Sequence, residues 1–173
     1  PYHVQQINRQ NCDLGQGAHK DFTFIAQKLK DVGYETAHIG KWHLGMASAR
    51  QIPKGRGFDR SLVYFEGAED HWTQRSCIDP MCLKPVYDNS TVPAKMGFVN
   101  ITQSPYDLWR DDAPAHDIAG SDYNGYLFNN FAVDVVQKHD TSKPLFMYLA
   151  PANSHSPLEA PQRFLDLYPE DWY

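Results

Sequence analysis

The chain has 173 residues, 42% of them hydrophobic and 21% charged, with a formal net charge of −5. This is the composition of an ordinary globular protein, and the length suffices for one hydrophobic core. No block of Lys or Arg marks a nucleic-acid surface, and no apolar run reaches the roughly 18 residues of a membrane span.

The first periodic segment is residues 21 to 32, "DFTFIAQKLKDV". Phe22, Ile25, Leu29 and Val32 share one helical stripe, with Asp21 as N-cap and Gly33 as the C-terminal stop. The following "YETAHI" is short and partly β-branched, and reads as a strand ending at Gly40. Residues 46 to 120 show no sustained period and are rich in prolines, so they read as an elaborated, loop-rich surface excursion. A second helix fits residues 123 to 139, with Phe128, Phe131, Ala132, Val135 and Val136 on its apolar face and Ser121 or Asp122 as cap. After Lys143-Pro144 the apolar run "LFMYLA" reads as a strand covered on both faces. Helix followed by strand occurs twice, which places the chain in the α/β class with a largely parallel sheet flanked by helices.

The three cysteines fall in two places. Cys77 and Cys82 flank "IDPM", where Pro80 turns the chain and lets the sulfurs meet; Cys12 is left free or paired outside the chain. A zinc site would need two more close Cys or His. Sequons at Asn89 ("NST") and Asn100 ("NIT") lie in the same region, and with a short disulfide they point to the secretory pathway, lysosomal or extracellular.

Chemistry concentrates at the predicted strand ends, where open parallel sheets bind ligands. The first strand delivers "GKWHLG", with Lys41 and His43 two apart and therefore on one side of an extended backbone. The second delivers "PANSHSPLEAP", with His155 just beyond the strand. A lysine and two imidazoles suit an oxyanion: the ammonium supplies charge and donors, and histidine moves a proton near neutral pH. A strand terminus with a solvated lysine would also account for the first of these segments. The letters fit neither a Walker loop, nor a His-Glu-x-x-His zinc site, nor a Gly-x-Ser-x-Gly nucleophile elbow.

"GYETAHIGKWHLG", followed by "RGFD" at Arg56 to Asp59 and by "KPLFMYLAPANSHSPLEAP", resembles the type I sulfatases. "FEGAEDHW" and the cysteine pair are most similar to the arylsulfatase B branch (the N-acetylgalactosamine-4-sulfatase type) with its arylsulfatase I and J relatives. The resemblance runs from about Asp21 to Tyr168 and is weakest over residues 85 to 120. It implies an alkaline-phosphatase-like α/β fold, with residues 1 to 173 as part of one catalytic domain truncated at both ends. It also implies hydrolysis of sulfate esters, with a sulfated glycan or other sulfate ester as partner. Carried over by motif, Lys41 would bind sulfate and steady the nucleophile, and His43 would hydrogen-bond the nucleophile. His155 would contact sulfate and protonate the leaving oxygen.

The family's nucleophile is a formylglycine made from the Cys or Ser of a Cys/Ser-x-Pro-Ser-Arg signature. Its Ca2+ is held by an Asp-Asp pair and a later Asp-Asn or Asp-Gln pair. None of the three cysteines stands in that signature, and Asp111-Asp112 and Asp88-Asn89 are out of the family's order. Both pairs read as surface polar groups. The chain opens at Pro1 without an initiator Met, so it reads as an internal fragment, inactive alone, with nucleophile and calcium ligands expected outside it. The alternatives are a sulfatase-like protein that binds sulfated glycans without catalysis and, more distantly, a phosphatase or phosphodiesterase of the same superfamily.

Overall fold

The computed structural model describes residues 17–19, 21–76 and 105–169. The sequence readings at Cys12, Cys77, Cys82, Asp88, Asn89 and Asn100 lie outside the described residues.

The first helix, α1, spans Ile25–Asp31, shorter at its start than the sequence pattern implies. Asp21 does not cap it. The N-cap is Phe24, and the Gln27 side chain reaches back to accept the Phe24 N–H at 2.8 Å, satisfying a donor that the first turn leaves orphaned. Gly33 ends the helix as expected, at φ 92°, with its N–H on the Lys30 carbonyl at 3.0 Å. The expected apolar stripe is turned outward: Ile25 is 63% and Val32 70% exposed, and the helix's one fully buried residue is Ala26. A small residue faces inward because Phe24 and Trp42 already fill the space beneath the helix; both belong to the cluster around Ala26.

Strand β1, Glu35–Lys41, follows where the sequence places it and is buried through Thr36 to Gly40. It pairs in parallel with β2, Arg60–Tyr64, and with β5, Leu145–Ala150. The excursion of residues 46 to 120 is therefore not all surface, since it contributes a buried strand beside β1. Two short strands, β3 (Trp109–Arg110) and β4 (Ala113–Pro114), continue the sheet antiparallel from β2, giving the order β4-β3-β2-β1-β5. The sheet is thus mixed, its parallel centre of β2, β1 and β5 agreeing with the expected largely parallel sheet and its antiparallel ribbon adding to it.

Helix α2, Asn124–Lys138, covers one face. Its N-cap is Tyr123 rather than Ser121 or Asp122, although Asp122 Oδ1 accepts the Tyr123 N–H at 2.7 Å. Phe128 and Val135 are buried and Phe131 and Ala132 pack on the core, whereas Val136 is 58% exposed. Alternation along β2 sends Leu62 and Tyr64 to the α2 side, with Ile39, Leu108 and Phe128. It sends Val63 to the α1 side, with Ala26, Trp42 and Phe58.

Strand β5 corrects the sequence reading. Among the described residues it stands at the sheet edge, and Tyr148 and Leu149, which alternate between its faces, are 52% and 51% exposed. A continuous apolar run implies cover on both faces, and among the described residues β5 has it only in its first half, where Phe146 packs with Trp42 and Phe58 and Met147 with Ile39 and Phe128. A short helix, α3 (Gln162–Leu165), closes the described chain. No helix among the described residues is long and apolar enough to cross a membrane.

Candidate active site at the strand ends

Parallel pairing brings the carboxyl ends of β1, β2 and β5 to one edge of the sheet, with Lys41 opposite Tyr64 and Gly40 opposite Ala150. Beyond β1 the chain is anchored by Trp42. Its indole N–H is shared between the carbonyls of Gly45 at 2.9 Å and Gln51 at 3.0 Å, and its backbone N–H donates to Tyr64 at 2.9 Å. With Trp42 locked inward, the backbone reverses at His43, a non-glycine residue at φ 51°. Non-glycine residues adopt this left-handed conformation uncommonly.

Lys41 and His43 then meet over one residue. Lys41 Nζ donates to the Gly67 carbonyl, and the His43 ring lies against Gly67. A β-carbon at position 67 would stand 3.5 Å from His43 Cε1 and 3.7 Å from its Nε2. Both side chains are half-buried. Burial lowers the pKa of the Lys41 ammonium.

His38 braces this strand end from below. Its Nε2–H donates to the Lys41 carbonyl at 2.9 Å, and its ring stacks on Tyr148 at 5.0 Å and meets Trp42 and Phe58 edge-on at 5.0 and 5.1 Å. Desolvation pulls its pKa down to about 4, so it is a neutral spacer, and among the described residues its buried Nδ1 has no partner. A cavity of about 370 Å³ lies beside it, lined by Lys41, His43, Trp42, Phe58 and Tyr148 among others.

His155 reaches the same edge on the loop after β5. Its backbone N–H closes a turn onto the Ala152 carbonyl at 2.8 Å, and its Nδ1–H donates to the Ser156 carbonyl at 2.8 Å. Because a carbonyl can only accept, that bond puts a proton on Nδ1 and leaves Nε2 outside it. The structure therefore brings Lys41 and His43 together at Gly67 and sets His155 at the end of the neighbouring strand.

The sequence reading missed that β2 is a third strand ending here, which makes residues 65 to 76 part of the edge. The Asp107 carboxylate accepts the backbone N–H of Phe65 at 3.0 Å and of Glu66 at 2.9 Å. Glu69 is fully buried and accepts from Asn124 Nδ2 at 2.9 Å, while its other oxygen has no partner among the described residues. Burial pushes its carboxyl well above the usual range. The available signal was the apolar "LVYF" run leading into the polar "EGAEDH", the same pattern as at β1.

"RGFD" is scaffold. Arg56 is buried, donates to the carbonyls of Ala18 at 2.6 Å and Phe22 at 3.2 Å, and stacks over the Phe24 ring. Asp59 accepts from the Thr36 backbone at 3.1 Å and hydroxyl at 3.0 Å, and pairs with Lys30. Asp111 and Asp112 form the turn between β3 and β4. Asp111 sits at φ 55° and accepts the Ser61 N–H at 2.6 Å, while Asp112 pairs with Lys54 at 2.5 Å. They serve different partners, and among the described residues no group of three or more His, Cys, Asp or Glu converges as a metal site. The described residues do not fit a calcium site.

The family model for Sulfatase matches residues 1–171. The chain belongs to the sulfatase family. Arylsulfatase J of Mus musculus is 33% identical over 149 residues, which are 86% of this chain and 21% of that protein. An arylsulfatase of Klebsiella aerogenes is 25% identical over 143 residues, 83% of this chain and 26% of that protein. The sulfatase chain thus spans about a quarter or less of these relatives. The crystal structure of Ps i-CgsB in complex with k-i-k-neocarrahexaose matches 90% of the chain, and 32% of its own, at a TM-score of 0.65 and 23% identity. The PsFucS1 sulfatase from Pseudoalteromonas sp. matches 94% of the chain, and 32% of its own, at a TM-score of 0.51 and 21% identity. At these identities the likeness establishes the fold, an α/β sulfatase domain with a mixed sheet flanked by helices.

Proposed function

We propose that the protein carrying this chain hydrolyses sulfate esters of glycans, and that Lys41, His43 and His155 form the sulfate-facing side of its active site. The observation that carries this reading is the convergence of Lys41 and His43 on Gly67 at a strand end of a sulfatase-family chain. The Lys41 ammonium would offset charge on the sulfate oxygens, where partial burial makes each contact stronger than in water. His43, beside it, would hydrogen-bond the nucleophile. His155 as imidazolium would give its Nε2 proton to the leaving oxygen as the S–O bond breaks. The neutral ring that remains keeps Nδ1–H on the Ser156 carbonyl.

In this reading formylglycine, which supplies the nucleophile, and Ca2+ come from residues outside this chain. The sugar sulfate is supported by the neocarrahexaose of the Ps i-CgsB complex. Residence in the secretory pathway is supported by the arylsulfatase J likeness and by the sequons at Asn89 and Asn100 with the Cys77–Cys82 pair. The test is sulfate release by the whole protein from an aryl sulfate and a sulfated oligosaccharide. Lys41→Ala should lower turnover by about 100-fold or more while leaving folding intact. Equal turnover in the variant would sink the assignment. A whole protein that binds the oligosaccharide and releases no sulfate would be a glycan-binding sulfatase homologue instead.

A further inference from the structure

The loop that carries His155 is held at both ends by one hydroxyl. Tyr123, buried at the head of α2, donates from its OH to the Glu159 carbonyl at 3.0 Å and accepts from Asn153 Nδ2 at 3.0 Å. Asn153 lies two residues before His155 and Glu159 four after it, so the hydroxyl closes the loop around the histidine. The Glu159 carboxylate adds a tie, accepting the His71 backbone N–H at 2.9 Å from the loop after β2. The Tyr123 ring is itself packed by His71 at 5.8 Å, Trp72 at 5.1 Å and Tyr126 at 5.6 Å.

A second observation shows that α2 is shaped for this contact. Gly125 stands in the first turn of the helix, although glycine is a poorer helix former than alanine. A β-carbon there would stand 2.5 Å from Asn153 Nδ2 and 2.8 Å from Tyr123 Cε1. The missing side chain is the space through which Asn153 reaches the tyrosine. His71, drawn in by the same network, is close enough to His155 for their charges to interact.

We infer that Tyr123 is the positioning residue of His155, its hydroxyl joining Asn153 and Glu159 so that the imidazole meets the leaving oxygen in one orientation. The hydroxyl takes no part in the chemistry. Its removal frees the loop, so that the proton donor samples orientations in which it does not reach the oxygen.

The inference rests on the role proposed for His155, and the test separates the two. Tyr123→Phe, His155→Ala and the double variant are made in the whole protein. Turnover is measured on aryl and alkyl sulfates, and amide exchange is followed over residues 151–161. Tyr123→Phe should lower kcat about tenfold with little change in KM. The loss should be larger on the alkyl sulfate, whose poorer leaving group depends more on the proton. Adding Tyr123→Phe to His155→Ala should cost nothing further, and loop amides should exchange faster while those of β5 do not. Unchanged loop exchange, or additive losses in the double variant, overturns the inference. Faster exchange with full turnover in His155→Ala overturns the role of His155 and leaves the hold of Tyr123 on the loop standing. Asn153→Ala removes one of the hydroxyl's two bonds from the exposed side and should change kcat and loop exchange in the same direction by a smaller amount, which covers a failure of the tyrosine variant to fold; unchanged kcat and exchange in Asn153→Ala also overturn the inference.

Discussion

The ring of His38 donates to the carbonyl of Lys41, three residues further along the same strand, at 2.9 Å. The bond turns a buried polar side chain into a brace for the residue proposed to bind sulfate. It also ties the strand end to pH, because the brace is a group held neutral by its surroundings.

Stability should therefore fall in mild acid through His38. Its folded pKa is pulled from 6.5 to about 4 by desolvation, so between these values the unfolded chain binds a proton that the folded chain refuses. The contribution is complete above the unfolded value and lost progressively as pH falls to about 4, by about 3 kcal/mol at most. His38→Phe should be less stable near pH 7, lacking the bond to Lys41, but should fall off less steeply between pH 6.5 and 4. Thermal unfolding of the whole protein across that range checks it; parallel profiles for the two proteins would show that His38 titrates normally.

The second prediction concerns "RGFD". Asp59 feels a desolvation penalty, yet hydrogen bonds from Lys30 and Thr36 outweigh it and hold its carboxyl below the ordinary value. Its work is to join α1 to the start of β1, at the edge of the sheet away from Lys41. Asp59→Ala should lose about 1–3 kcal/mol by stranding the Thr36 N–H, the hydroxyl keeping the Gly57 carbonyl at 2.7 Å, while KM and kcat of the surviving folded protein stay near wild type. A variant with normal melting and lost turnover would place the motif in the site instead.

How far the sequence could be read depends on which physics each stretch expresses. Gly33 and the strand ending at Gly40 were legible because turn chemistry is local, and so was the body of α2, with Phe128 and Val135 buried at helical spacing. The facing of α1 was not. Its apolar stripe is a local pattern, whereas its burial is decided by Phe24 and Trp42 occupying the space beneath it. Strand β2 was hidden because five residues leave little period inside a proline-rich stretch, and with it went Gly67, the residue on which Lys41 and His43 converge. Asp111-Asp112 shows the opposite limit. Two adjacent carboxylates look like chemistry, and only the fold reveals a hairpin turn in which Asp111 takes a left-handed conformation that aspartate tolerates.

Gly40 sets the distance between the two strands that carry the site. It stands at φ 95°, and a β-carbon there would lie 2.0 Å from the Ala150 carbonyl oxygen, a backbone atom that cannot swing away. Gly40→Ala should cost about 3 kcal/mol or more from the clash and the left-handed conformation together. Its folded fraction should lose turnover as well, because β1 and β5 must part just where Lys41 and the His155 loop leave them. Calorimetry and sulfate release on the same preparation test both halves; a stable, fully active variant would mean that the strand spacing is not what aligns the two ends.

At the opposite edge, Glu35 collects charge from two elements. His139 at the end of α2 sits with Nδ1 2.7 Å from Glu35 Oε2 and Nε2 2.8 Å from the Lys143 carbonyl, and Lys143 Nζ lies 3.5 Å from Glu35 Oε1. The hydrogen bond with His139 is the main reason the Glu35 carboxyl titrates below its ordinary value, with Lys143 adding to it. Because the folded pKa is depressed, this stabilisation is present above the unfolded carboxylate value and disappears as pH falls through the folded one. Glu35→Gln should therefore melt earlier than wild type at pH 7, and by this linkage the gap should persist as pH falls toward the unfolded carboxylate value. The two melting curves should draw together only below the ordinary carboxylate range, as the wild-type carboxylate takes up its proton. Added salt should narrow the gap at pH 7, since the group is partly exposed and its pairs are screened. A gap that stays constant down to pH 3 and is indifferent to salt would show that Glu35 contributes through packing and not through its charge.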